Sequence, residues 1–239
     1  MPRRRRSDSE IEAVRERILD ETLDLFAVAG WEGFSMRKLA ARLNIAAKTL
    51  YNYFGSQDDL YLRLLTRGFR QLYSALSSAA FANDDPRDRL SALAEVYVDF
   101  AFTHVNLYNL MFVWHVPKYD DYVGTSMENV ALTELAAALD NQRLLAATIS
   151  ECIGHAVDED DLRFMTIWAW SQLHGYVAAV NNNLIGYMHP DPAQIHTRML
   201  QQVRSIATAE MAAALAGRDD TASASTHSLA PTTPATEPG

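Results

Sequence analysis

The stretch Ser35-Met-Arg-Lys-Leu-Ala-Ala-Arg-Leu-Asn-Ile-Ala-Ala-Lys-Thr-Leu-Tyr-Asn-Tyr-Phe54 decides the fold. Leu39, Ala40 and Leu43 fall at i, i+1 and i+4, which makes one apolar stripe on a short helix. Arg37, Lys38 and Arg42 lie outside that stripe. Ser35 stands where an N-cap belongs, its hydroxyl able to accept an orphan backbone N–H. Asn44 follows Leu43 and tolerates the left-handed conformation, so it can end the helix in place of Gly. Ile45 then fills the angle to a second helix, on which Leu50 and Phe54 are i, i+4 partners facing the same core. The residues left free there are polar or basic: Lys48, Thr49, Tyr51, Asn52 and Tyr53. This is the layout of a helix-turn-helix, whose second helix enters the DNA major groove. Lys48 can reach a phosphate or a guanine edge, and Asn52 can read an adenine edge. The hydroxyls of Thr49, Tyr51 and Tyr53 suit phosphate oxygens. A solvated amphipathic hairpin with a basic outer face satisfies the same pattern.

The match to a known pattern extends beyond this stretch. A helix ending Phe26-Ala-Val-Ala-Gly30 is followed by Gly33-Phe-Ser-Met-Arg-Lys-Leu-Ala40, by Thr49-Leu-Tyr-Asn-Tyr-Phe54 and by Gly55-Ser-Gln-Asp-Asp-Leu60. Over about residues 12–62 this resembles the tetracycline-repressor (TetR) family of bacterial transcription regulators. The resemblance implies that Ser35, Thr49, Tyr51 and Tyr53 hold phosphates. It implies that Arg37, Ala47, Lys48 and Asn52 approach bases. Two positions depart from the family pattern: Asn44 stands where Gly is usual, and Gln57 replaces a Lys that grips a phosphate.

The charge distribution agrees with that reading. The net charge of −9 argues against nucleic acid when taken whole. Residues 1–70 hold 13 Lys/Arg and 10 Asp/Glu, a net of +3, whereas the remainder holds 8 and 20, a net of −12. The basic part coincides with the reading head, as phosphate binding requires. Arg3 to Arg6 form a basic arm that either trails along the DNA backbone or minor groove or is simply a solvated terminus. The single cysteine, Cys152, excludes an internal disulfide and suits a reducing cytosol. No run of about 18 apolar residues exists, so no transmembrane helix is expected and a cytoplasmic location is.

The remaining chain reads as helix throughout. Ile11, Val14, Ile18, Thr22, Leu25, Phe26 and Ala29 give a 3.6-residue period, with Ser9 and Glu12 as the opening cap. A fourth helix runs from about Gln57 to Phe81, with Ser56 as its cap. Asp85-Pro86 opens the next. Further helices are expected over about 86–105, 106–115, 125–153, 158–183 and from 192 to near 217. The sequence thus predicts an all-α protein with a basic arm at 1–9 and a three-helix, helix-turn-helix DNA-binding domain at 10–57. A helical ligand-binding and dimerisation domain follows at 58–216, then a disordered Ser/Thr/Pro-rich tail at 217–239.

Two segments of the body are dense in aromatic and Met residues, Tyr97–His115 and Phe164–Tyr176. Together they resemble a C-terminal subtype of the family named for a Trp-His-Gly signature, matched here by Trp170, His174 and Gly175. His174, one turn beyond Trp170 and next to Gly175, is expected to mark a close helix crossing. A ligand pocket between helices would draw on Phe100, His104, Tyr108, Met111, Phe112, Trp114, Met165, Trp168 and His174. Plain core packing is the competing reading of each. The histidines lack the i, i+4 pairing of a helical metal site, so no metal and no cofactor is expected.

Leu173, Val177 and Val180, then Ile195, Met199, Leu200, Val203, Ile206 and Met211, suit a four-helix bundle made by two subunits, or the same stripes are buried within one chain. No triad spacing, nucleophile elbow or phosphate loop points to an enzyme. The expected protein is therefore a dimeric repressor, released from a palindromic DNA operator by a small apolar or aromatic effector. An activator or ligand-independent regulator of the same fold is the alternative. An enzyme acting on an apolar small molecule is a remoter one.

Overall fold

A computed structural model describes residues 7–206, and the Arg3–Arg6 arm, Met211 and the 217–239 tail lie outside them. The first three helices, α1 (Asp8–Gly33), α2 (Met36–Arg42) and α3 (Ala47–Tyr51), form the head. The long α4 (Gln57–Phe81) leads into the body, which adds α5 (Pro86–Thr103), α6 (Val105–Phe112), α7 (Glu128–Ile153), α8 (Glu159–Asn181), the short α9 (Ile185–Met188) and α10 (Pro192–Ile206). Among the described residues there is no strand.

Local chemistry fixes most of these boundaries. The Ser35 side chain accepts from Lys38 N, Ser56 from Asp59 N, and Asp85 from Arg87 N and Asp88 N, each satisfying orphan donors of a first turn. Asn44 has φ 53, the left-handed geometry that the turn needs. The start of α1 differs from expectation. Ser7, not Ser9, is the cap, in a reciprocal capping box with Glu10. Both serines have Glu three residues on, and the earlier one gains an extra half-turn. Gly30 breaks the helical geometry of α1 with φ 67, a conformation open to Gly at little cost. The brief α9 and a 3-10 turn at Tyr119–Tyr122 are too short to show a period in sequence.

The head closes on Leu39 and Leu50, both 0% exposed, and on Phe54. Phe26 stacks on Phe34 at a centroid distance of 4.4 Å, and Trp31 meets Tyr61 of α4 edge-on at 4.8 Å. Those rings join the head to the body. Arg67 of α4 adds a polar tie, its Nη1 lying 2.9 Å from Glu16 and 2.8 Å from Asp20 of α1. Helix α6 also comes very close to α4. A Cβ added at Gly68 would stand 2.8 Å from Met111 Sδ and 3.0 Å from Leu107 Cδ1. Helices α5, α7 and α8 complete the body, and α10 packs on α5 and α8.

Candidate nucleic-acid interface and cavity

Helices α2 and α3 leave two cations, Arg37 and Lys48, unpaired. Arg42 is taken up by Glu21 at 2.6 Å and Asp24 at 3.5 Å, and Lys38 Nζ donates to Gly33 O at 2.6 Å. Among the described residues neither Arg37 nor Lys48 is in an ion pair, and both are exposed. Arg37 shares a shallow depression with Ser35, Met36, Tyr51, Gly55, Ser56 and Gln57. The start of α2 and the start of α4 therefore converge on one concave surface, with Tyr51 half exposed beside it. A phosphate fits this chemistry, since it would meet a guanidinium, hydroxyls and the positive end of a long helix. The carboxylates at that helix end are engaged elsewhere. Asp59 accepts from Gly55 N and pairs with Arg63, while Asp58 accepts from the Tyr122 hydroxyl of the body.

Helix α3 is shorter than expected. It stops at Tyr51, and Asn52 and Tyr53 sit in the turn that follows, where Leu50 O accepts from both Tyr53 N and Phe54 N. Asn52 remains exposed. Ala47, Thr49 and Tyr53 are half-buried, with Ala47 and Tyr53 packed against the head's core. Of the eight residues expected at DNA, Ser35, Arg37 and Tyr51 share the depression, and Lys48 and Asn52 are exposed outside it.

The body holds a cavity of about 380 Å³ between α4, α5, α7 and α8. Its wall includes Phe69, Leu72 and Leu76, then Leu90, Leu93, Ala94 and Tyr97, then Ala138, Leu139, Asn141, Gln142, Leu144 and Leu145, then Thr166, Ile167, Ala169, Trp170 and Leu173, with Phe112 from α6. Of the nine residues expected around a ligand, only Phe112 lies on this wall. Tyr108, Met111, Met165 and Phe100 are buried in the core, because aromatic and Met side chains at helical spacing satisfy packing as readily as a pocket. His104 is exposed at the α5–α6 junction, while Trp114 and Trp168 are half-buried against the core. The cavity is largely aliphatic, and its leucines carry no sequence mark that separates them from core.

His174 stands behind the wall in a hydrogen-bond chain. Trp170 Nε1 donates to the Tyr97 hydroxyl at 3.0 Å, Tyr97 meets Tyr108 at 3.0 Å, and Tyr108 meets His174 Nδ1 at 2.6 Å. Burial pushes the Tyr108 phenol up to about 12 and the Tyr97 phenol further, and it holds His174 below the ordinary histidine range. The close helix crossing expected at His174 is absent beside it, since a Cβ at the neighbouring Gly175 would meet nothing within 4 Å and that residue is exposed. Cys152 is half-buried, with its thiol pushed up chiefly by burial, as suits an unreactive side chain.

A compact helix-turn-helix head with free cations, carried on a helical body with an apolar cavity, defines the class of helix-turn-helix transcription regulators. Residues 18–64 match the model for bacterial regulatory proteins of the tetR family, and residues 90–203 match the tetracyclin repressor-like C-terminal domain. The chain belongs to the TetR family. It is 40% identical over 77 residues to the HTH-type transcriptional repressor KstR of Mycolicibacterium smegmatis, covering 32% of this chain and 38% of that protein. It is 31% identical over 98 residues to the HTH-type transcriptional activator FasR of the same organism, covering 41% of this chain and 45% of FasR. These alignments span less than half the length of either relative. The TetR family transcriptional regulator PfmR from Thermus thermophilus shares the fold, with a TM-score of 0.57 at 20% identity over 80% of this chain and 94% of that one.

Proposed function

We propose that this chain is a DNA-binding transcription regulator that works as a homodimer and responds to a small apolar effector held in the α4–α5–α7–α8 cavity. The observation that carries the reading is the pairing of two free cations, Arg37 and Lys48, on a helix-turn-helix face with an apolar cavity in the body that α4 reaches directly. The phosphate contacts are assigned to Ser35, Thr49, Tyr51 and Tyr53, and base approach to Arg37, Ala47, Lys48 and Asn52.

Dimerisation fits exposed apolar groups of the late helices. Phe164 and Ile167 of α8 are 47% and 54% exposed, and Tyr187 and Met188 of α9 are 89% and 80% exposed. Apolar surface of this kind is characteristic of interfaces. Leu173 and Val177 are not available for it, since they are buried within the chain, and Ile195, Met199 and Leu200 pack partly against the chain's own core. Two heads are needed to reach two half-sites on one duplex. The Trp-His-Gly subtype is supported by Trp170 stacked on His174 at 4.9 Å, both tied into the tyrosine chain. Repression is favoured over activation by the higher identity to KstR, although FasR leaves activation as a second reading.

Selection of bound duplexes from a random-sequence DNA pool tests the proposal. The expected outcome is an inverted repeat bound by two chains. Recovery of no enriched sequence would reject it.

A further inference from the structure

Resting on the effector reading, we propose that the ligand of the cavity is an uncharged, hydrocarbon-rich molecule that donates one hydrogen bond, and that Asn141 Oδ1 is its acceptor. The first half follows from what the wall lacks. It contains no Lys, Arg, His, Asp or Glu, and its one ionisable group, the Tyr97 phenol, is committed to Trp170 and Tyr108. An ionised carboxylate or ammonium entering such a space would lose its hydration without compensation.

The second half follows from which polar groups of the wall are already engaged. Thr166 Oγ1 donates to Leu162 O at 2.7 Å, and Trp170 Nε1 donates to Tyr97. Gln142 is exposed, and with the exposed Ile167 it marks the mouth. Asn141 differs from all of these. Its Nδ2 donates to Phe69 O at 3.1 Å and to Ala137 O at 2.9 Å. Two carbonyl partners fix the amide orientation, because a flipped side chain would set oxygen against oxygen. The Oδ1 atom has no hydrogen-bond partner and is covered by its neighbours, so a ligand donor reaches it as the adjoining side chains of the wall give way. A buried acceptor left unpaired is uncommon and unfavourable, so a ligand that brings a donor gains where an isostere without one does not. In proportion to the 150 Å³ cavity that accepts benzene, a cavity of 380 Å³ takes roughly fifteen carbons.

Three probes of nearly equal size separate the claims: decan-1-ol, methyl nonyl ether and decanoate, measured by calorimetry on the full chain at pH 8. Decan-1-ol should bind about tenfold tighter than the ether and about a hundredfold tighter than decanoate. Asn141→Leu should remove the alcohol's advantage while the ether still binds. Ala94→Trp, which fills the space, should weaken all three. Equal binding of alcohol and ether, persistence of the difference in Asn141→Leu, or decanoate binding as tightly as decan-1-ol would overturn the ligand chemistry while leaving the cavity reading intact. Failure of every probe to bind the unaltered chain would overturn the effector reading itself.

Discussion

The Tyr108 hydroxyl lies 2.6 Å from His174 Nδ1, and that contact sets the direction of a four-residue chain. Trp170 Nε1 can only donate, so the Tyr97 hydroxyl accepts from it and passes its own proton to Tyr108. Tyr108 in turn donates to Nδ1, which requires His174 to be neutral. A proton on Nδ1 would turn Tyr108 back toward Tyr97 and leave the Tyr97 proton without an acceptor. Two of the four side chains, Tyr97 and Trp170, are also cavity wall.

Tyr108→Phe leaves the Tyr97 proton and His174 Nδ1 both unpartnered, and it should cost about 1–3 kcal/mol in urea unfolding. Because burial lowers the His174 pKa, the unfolded chain takes up that proton first. The contribution of His174 to stability is therefore present above the ordinary histidine range and declines as pH falls through it. His174→Gln should flatten that acid limb.

Glu134 of α7 predicts the opposite slope. It is 9% exposed, and burial pushes its carboxyl up to about 7, opposed by Lys118. The Tyr61, Tyr122, Asp58 and Asp121 groups surround the same junction between α4, α7 and the 3-10 turn. The folded chain holds the Glu134 proton more tightly than the unfolded chain, so its contribution is complete below the ordinary carboxylate range and is lost as pH rises through about 7. Glu134→Gln should raise stability at pH 8 by up to about 3 kcal/mol and leave pH 4 stability nearly unchanged. Denaturant midpoints at the two pH values check it.

Gly68 gives the third prediction. Gly→Ala in a helix gains about 1 kcal/mol of propensity. Here the added carbon meets Met111 and Leu107 on the buried side of α6. Gly68→Ala should be nearly neutral, with the Met side chain yielding. Gly68→Val should cost about 1–3 kcal/mol and lower the thermal midpoint by several degrees.

The sequence made the head legible because its signals are short-range. Ser35, Asn44, Ser56 and Asp85-Pro86 act on backbone within four residues, and Leu39, Leu50 and Phe54 mark one face of a compact unit. The end of α3 was less legible, since Asn52 and Tyr53 continue the helical period yet fall in the following turn. The cavity was not legible. It arises where four distant helices leave space beside Leu72, Leu76, Leu90 and Leu93, and no local pattern separates a leucine on a wall from one in a core. The aromatic segments carry the conspicuous local pattern instead, yet Phe100, Tyr108, Met111 and Met165 pack the interior. Asn141 carried no periodic signal either, because its role depends on Phe69 O across the helix interface.

The head's function is tested most directly by the affinity of the selected duplex for the intact chain and for Arg37→Ala and Lys48→Ala, measured against salt. Each variant should lose about ten- to a hundredfold in affinity at unchanged helical content, with relaxed preference at the base it approaches and a shallower salt slope where the lost cation also met a phosphate. Unaltered affinity and slope in both variants would contradict the assignment of Ser35–Phe54 as the DNA-reading element.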